Sequence, residues 1–180
     1  MKHIAIIAGT NRPNSRSLQA ATHLEELYQA EGATTRLLDL STLPPEIFLP
    51  SVYKEKPASF SPWMDAVMHS AGLVVVVPEY NGSFPGALKY FIDMLPFPEN
   101  FEGRPVCFVG LASGSWGALR AVEHLQGVFG YRNAHIYPRR VFLPGIHASL
   151  DQSGRFLPEL EKRLQEQTAG FLDYVRRLRN

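Results

Sequence analysis

Leu73-Val74-Val75-Val76-Val77 limits this chain's fold more than any other segment. Its β-branched side chains favour an extended backbone. The absence of polar alternation means that neither face of the strand meets water. Such a strand needs cover on both sides, and the rest of the sequence supplies it. Ile4 to Ala8 repeats the unbroken apolar pattern, and Thr35 to Leu40, Val106 to Ala112 and His135 to Leu143, with a break at Pro138, complete a set of five strands.

Helical periodicity fills the gaps. Leu18, Ala21, Leu24, Leu27 and Tyr28 mark one face of a helix from about Ser17 to Glu31 that stops at Gly32, a natural helix-ending residue. A second helix starts near Pro62 and ends at Gly72. A third begins at Pro85 and aligns Leu88, Phe91, Ile92 and Leu95. A fourth carries Leu119, Val122, Leu125 and Phe129. The last carries Leu157, Leu160, Leu164, Phe171, Leu172, Val175 and Leu178. Alternating strands and helices predict an α/β three-layer sandwich, with a five-stranded parallel sheet in the order 2-1-3-4-5 and helices on both faces. No internal repeat or linker divides the sequence, so residues 1–180 are expected to form one domain. The Pro-rich stretch from Leu43 to Pro62 reads as a long surface loop.

Several function classes recede on composition. Charged residues are 19% of the chain and the net charge is +1, which gives no broad field for nucleic acid or membrane. The six histidines show no metal-ligand spacing, and Cys107 is the sole cysteine, which excludes an internal disulfide and a cysteine-rich zinc site. Cys107 lies in "PVCFVGLA" and reads as an inert core thiol. "MKHIAIIAG" is too short for a signal peptide and no stretch approaches a membrane span, so a soluble cytoplasmic protein is expected.

In a doubly wound sheet, the loops leaving strands one, three and four meet at one rim. The first is Gly9-Thr10-Asn11-Arg12-Pro13-Asn14-Ser15-Arg16-Ser17. A helix N-terminus offers unpaired N–H groups and partial positive charge, and hydroxyls with an arginine complete a cradle for a phosphate. Capping would account for one hydroxyl, though not for Thr10, Ser15, Ser17 and Arg12 together. Neither the Gly-x-Gly-x-x-Gly fingerprint nor a Walker loop is present, and hydroxyls with one arginine suit a monophosphate. The second loop, Pro78-Glu79-Tyr80-Asn81-Gly82-Ser83, offers either a ledge for a flat ring system or an ordinary Asn-Gly turn. The third, Ser113-Gly114-Ser115-Trp116-Gly117, lets backbone approach a ligand closely, and its Trp116 either walls a pocket or packs on the sheet.

Gly9-Thr10-Asn11-Arg12-x-x-Ser15, followed by Pro78-Glu79-Tyr80-Asn81-x-Ser83-x-Pro85-Gly86-x-Leu88-Lys89-x-x-Ile92-Asp93, resembles the NAD(P)H-dependent FMN reductases, which include chromate and quinone reductases and some azoreductases. Gly117-Ala118-Leu119-Arg120 loosely matches that family's Gly-Gly-x-Arg segment. The resemblance covers nearly the whole chain and implies a flavodoxin-like fold with bound FMN. By it, Thr10, Arg12, Ser15 and Ser17 hold the phosphate. Pro78, Glu79, Tyr80, Asn81, Gly82 and Ser83 lie against the ribityl chain and isoalloxazine, and Ser113 and Gly114 lie near the pyrimidine end. Thr10 stands where serine is usual, Ser17 where asparagine is frequent, and Ala118 where the family has a second glycine.

The activity so implied is transfer of electrons from NAD(P)H through FMN to a quinone, azo compound, free flavin or metal oxyanion, by alternation at one site. The flavin carries that chemistry, so no side chain is named as a catalytic acid or base. An electron carrier or flavin sensor is the non-enzymatic alternative. A hydrolase using Ser115 is the remote one, because Ser113-Gly114-Ser115-Trp116-Gly117 resembles a degenerate nucleophile elbow. The family also implies a homodimer or homotetramer; in this sequence Phe48, Val52, Tyr53, Phe97 and Phe101 either serve an interface or cover the core. Arg120 and the Arg139-Arg140 pair are left without an assigned role.

Overall fold

The structure is a computed structural model that describes residues 2–151 and 155–178. Strand β1 (Ile4–Ala8) leads to helix α1 (Arg16–Ala30), β2 (Thr35–Asp39) and α2 (Ser61–Met68). There follow β3 (Gly72–Pro78), α3 (Gly86–Met94), β4 (Pro105–Leu111) and α4 (Leu119–Tyr131). Two short strands, β5 (His135–Ile136) and β6 (Val141–Leu143), precede α5 (Pro158–Arg177). All pairings are parallel and the sheet runs β2-β1-β3-β4-β5, with β6 also paired to β4. The expected 2-1-3-4-5 order is the observed one.

The fifth strand differs in one respect. It is two pieces on the same edge of β4, the first opposite Pro105 and Val106 and the second opposite Val109 to Leu111. Tyr137 N–H still donates to Val106 O at 2.8 Å, Pro138 follows on this edge, where its missing N–H would face away from β4, and pairing resumes at Val141.

Strand residues alternate between two cores. Ala5, Ile7, Leu73, Val75, Val77, Val106 and Phe108 pack with α2, α3 and α4. Ile4, Ile6, Ala8, Val74, Val76, Cys107 and Val109 pack with α1 and α5. This explains the unbroken valines: each neighbour serves a different core. Burial pushes the Cys107 thiol far above its ordinary range, so it is not a nucleophile in the folded chain.

The stretch from Leu43 to Pro62 is not a plain surface loop. It winds through short 3₁₀ turns and plants Ile47, Val52 and Phe60 in the core beside α3. Of the five aromatic and aliphatic residues read as either interface or core cover, Val52 and Phe101 are 3% and 1% exposed and belong to the core. Phe48, Tyr53 and Phe97 remain exposed.

Candidate functional site

Parallel register brings the strand ends together. Ala8 lies opposite Val76, Pro78 opposite Leu111, and Leu111 opposite Leu143. Hydrogen bonds carry the ladder into the loops: Gly9 N–H donates to Val76 O at 2.9 Å, Glu79 N–H to Leu111 O at 3.2 Å, and Ala112 N–H to Leu143 O at 3.3 Å. Gly145 N–H donates to Gly114 O at 3.1 Å and Ile146 N–H to Ala112 O at 3.0 Å. At Gly9 the backbones approach so closely that a Cβ would lie 2.5 Å from Val76 O. Glycine at that position is therefore a packing requirement.

The rim encloses a cavity of about 310 Å³. Among the predicted residues, Arg12, Ser15, Ser17, Pro78, Glu79, Tyr80 and Ser113 line it. Ser15 caps α1, its Oγ accepting from Leu18 N–H at 3.1 Å while its carbonyl accepts from Gln19 N–H. The amides of Arg16 and Ser17 precede the first intrahelical bond, so they are directed out of the helix end. The Ser15 hydroxyl keeps its proton for a further acceptor. Arg16 is tied to Gln19 Oε1 at 2.6 Å. Arg12 is exposed and, among the described residues, has no acidic partner. Amides, hydroxyls and a guanidinium at one helix N-terminus form a donor set matched to a phosphate monoester.

Thr10 is buried in the same loop and bonded within it. It is 1% exposed, and its Oγ1 accepts from Arg12 N–H at 3.2 Å and shares a 2.9 Å hydrogen bond with the Tyr80 hydroxyl. It braces the loop from below and does not line the cavity. Asn81, Gly82 and Ser83 also stand outside the lining. Tyr80 and Ser83 exchange two backbone hydrogen bonds, and Asn81 and Gly82 form the tip with φ of 52° and 76°, the backbone of a two-residue hairpin of type I′. The ordinary Asn-Gly turn is thus present, and it presents Tyr80 to the cavity. Gly114 bonds the neighbouring loop through its carbonyl and is likewise outside the lining.

Asn14, Arg16, Ile146 and His147 line the cavity too and were not among the predicted site residues. Ile146 and His147 follow β6. The carboxyl end of a fifth parallel strand must reach the same rim, and that was the available signal.

The β4–α4 turn explains an irregularity in the motif. Gly117 has φ of 57° and Ala118 has φ of 70°, so both residues of the Gly-Gly-like pair are left-handed. Alanine at the second position occupies a glycine's conformation. Trp116 is 76% exposed and does not pack on the sheet. Ser115 is exposed and has no hydrogen-bonded histidine or carboxylate among the described residues. The hydrolase reading therefore lacks its base. Arg120 is exposed outside the cavity, while Arg140 donates to Gln126 Oε1 at 3.2 Å and lies over Phe142.

Fold and cavity together define a flavodoxin-like α/β sandwich with a cavity lined by amides, hydroxyls and Arg12 at the carboxyl rim of its sheet. Residues 1–148 match the family model described as NADPH-dependent FMN reductase, and the chain belongs to that family. An NAD(P)H-dependent FMN reductase of Pseudomonas aeruginosa is 29% identical over 171 residues, covering 92% of this chain and 89% of its own. A quinone reductase of Escherichia coli is 26% identical over 147 residues, covering 79% and 77%. Among solved structures, the flavoenzyme NAD(P)H:(acceptor) oxidoreductase FerB of Paracoccus denitrificans shares the fold with a TM-score of 0.81, at 24% identity and 98% coverage of both chains. The protein is an NAD(P)H-dependent flavin oxidoreductase with FMN as its cofactor. Among the described residues, no helix is long and apolar enough to cross a membrane.

Proposed function

We propose that the rim cavity seats FMN phosphate-first on the N-terminus of α1. When bound there, FMN would supply the redox chemistry between NAD(P)H and a second small molecule, the two using the same place in ping-pong order. Arg12, the hydroxyls of Ser15 and Ser17, and the amides of Arg16 and Ser17 hold the phosphate. Thr10 contributes by fixing the Arg12 amide and Tyr80 beneath them. Pro78, Glu79 and Tyr80 form the ledge for the ring, with Asn81, Gly82 and Ser83 as the turn that shapes it. Ser113 and the Gly114 backbone border the opposite side. The supporting observation is the coincidence of a donor set suited to a monophosphate and the Tyr80 ledge in one cavity of a chain of this family.

Acceptors in this reading are small and planar or anionic: quinones, azo compounds, free flavin or metal oxyanions. A cytoplasmic setting, where NAD(P)H is supplied, and a homodimer or homotetramer complete the proposal. Anaerobic addition of NADPH or NADH to the FMN-loaded protein tests it. Prompt bleaching of the flavin's visible band, restored by a quinone, is expected. A flavin that stays oxidised would leave only a carrier or sensor.

A further inference from the structure

The rim is tied to α4 by a run of hydrogen bonds whose far end, at His124, the proposed function leaves unused. An isolated two-residue hairpin is not stable by itself in water, so the Tyr80–Ser83 turn needs outside support to hold one orientation against the sheet. One support is the bond between the Tyr80 and Thr10 hydroxyls at 2.9 Å. The other lies on the opposite side, where Ser83 Oγ is 3.0 Å from His124 Nδ1 on α4. The connection is continuous. His124 meets Ser83, Ser83 is paired to Tyr80 through both backbone bonds, Tyr80 meets Thr10, and Thr10 Oγ1 accepts the Arg12 amide. A polar path thus runs from helix α4, through the ring ledge, to the phosphate loop.

Packing does not explain His124. The buried stripe of α4 is Ala121, Val122, Leu125 and Phe129, and His124 is on the exposed side. Its bond to Ser83 is available in either neutral tautomer, because a hydroxyl both donates and accepts. Ser83 is therefore held from a rigid helix, whereas the turn tip at Asn81 and Gly82 has no such anchor.

We propose that His124 is a positioning residue for the flavin site. By fixing Ser83 it sets the orientation of the Tyr80 ledge and, through Thr10, the separation between that ledge and the Arg12 loop. This rests on the assignment of FMN to the rim cavity. His124 touches neither the cavity nor the reacting atoms, and it transfers no proton.

The experiment uses His124→Ala, Ser83→Ala, the double variant and His124→Asn. Apo-protein of each is titrated with FMN by fluorescence quenching, and the midpoint potential of the bound flavin and the melting temperature are recorded. Either single alanine variant should raise the FMN Kd by roughly fivefold, the size expected for one hydrogen bond, and should move the flavin potential. The double variant should be no worse than either single, as two ends of one interaction require. His124→Asn carries a polar side-chain atom at the same bond count from Cα as Nδ1, and should recover most of the loss. Because His124 is exposed, the melting temperature should hardly change. Singles with wild-type Kd and potential, or effects that add in the double variant, would overturn the proposal and leave the FMN assignment standing. A wild-type protein with no FMN affinity would overturn both.

Discussion

The β1–α1 and β4–α4 junctions are topological equivalents: each leaves a strand at the carboxyl rim, contributes residues to the same cavity and then enters a helix. Their chemistry is opposite. The first has a side-chain cap, Ser15, two buried hydroxyl residues, Thr10 and Ser17, and the uncompensated charge of Arg12. The second has no side-chain cap, two left-handed residues, Gly117 and Ala118, and an exposed Trp116. A common turn position thus carries a capped helix start with hydroxyls and a cation in one case, and a left-handed backbone turn packed against the β6 end in the other. Position in the fold decides where a ligand can sit; the local residues decide which part of it sits there.

The largest expected effect concerns what both junctions need alike, close backbone. Gly9→Ala forces a Cβ against Val76 O and should destabilise the fold by about 2–3 kcal/mol, the upper range for overpacking. A lowered urea midpoint at constant slope measures it. Next comes the charge contrast. Arg12→Ala should weaken FMN binding by about 1.5–3 kcal/mol for one charge-assisted hydrogen bond, whereas Arg120→Ala on the second junction should leave FMN affinity unchanged; calorimetry on both variants reads the difference. Ser15→Ala should cost about 1 kcal/mol of stability as a lost helix cap and weaken FMN as well, measured by thermal melts with and without cofactor. Trp116→Ala should change stability by less than about 0.5 kcal/mol, as an exposed substitution, measured by thermal melts. The smallest effect belongs to Ala118→Gly. Relief of the left-handed alanine, about 1 kcal/mol, is offset by a lost buried methyl of about 0.8 kcal/mol, so the melting temperature should stay nearly constant.

How much of this could be read from the sequence depended on periodicity. The valines of β3 and the stripes of α1, α3, α4 and α5 required both faces of a parallel sheet to be covered, and the strand order followed. Ile47, Val52 and Phe60 carried no such signal, because 3₁₀ turns of three or four residues are too short to show a period. Around the site, the capping role of Ser15 and the Asn81-Gly82 turn were legible from residue type. The withdrawal of Thr10 beneath the cavity was not, since it depends on a partner, Tyr80, that lies 70 residues away. Ile146 and His147 carry little signal in the sequence, because Pro138 interrupts the apolar pattern of the last strand, whose far end reaches the rim.

The central claim is that the α1 N-terminus seats a phosphate and thereby the flavin. Calorimetric titration of apo-protein with FMN and, separately, riboflavin tests it most directly, because the two differ only in that group. FMN should bind at least ~10-fold tighter, as expected when at least one charge-assisted bond to the phosphate is made. Equal affinities for the two flavins would contradict the account.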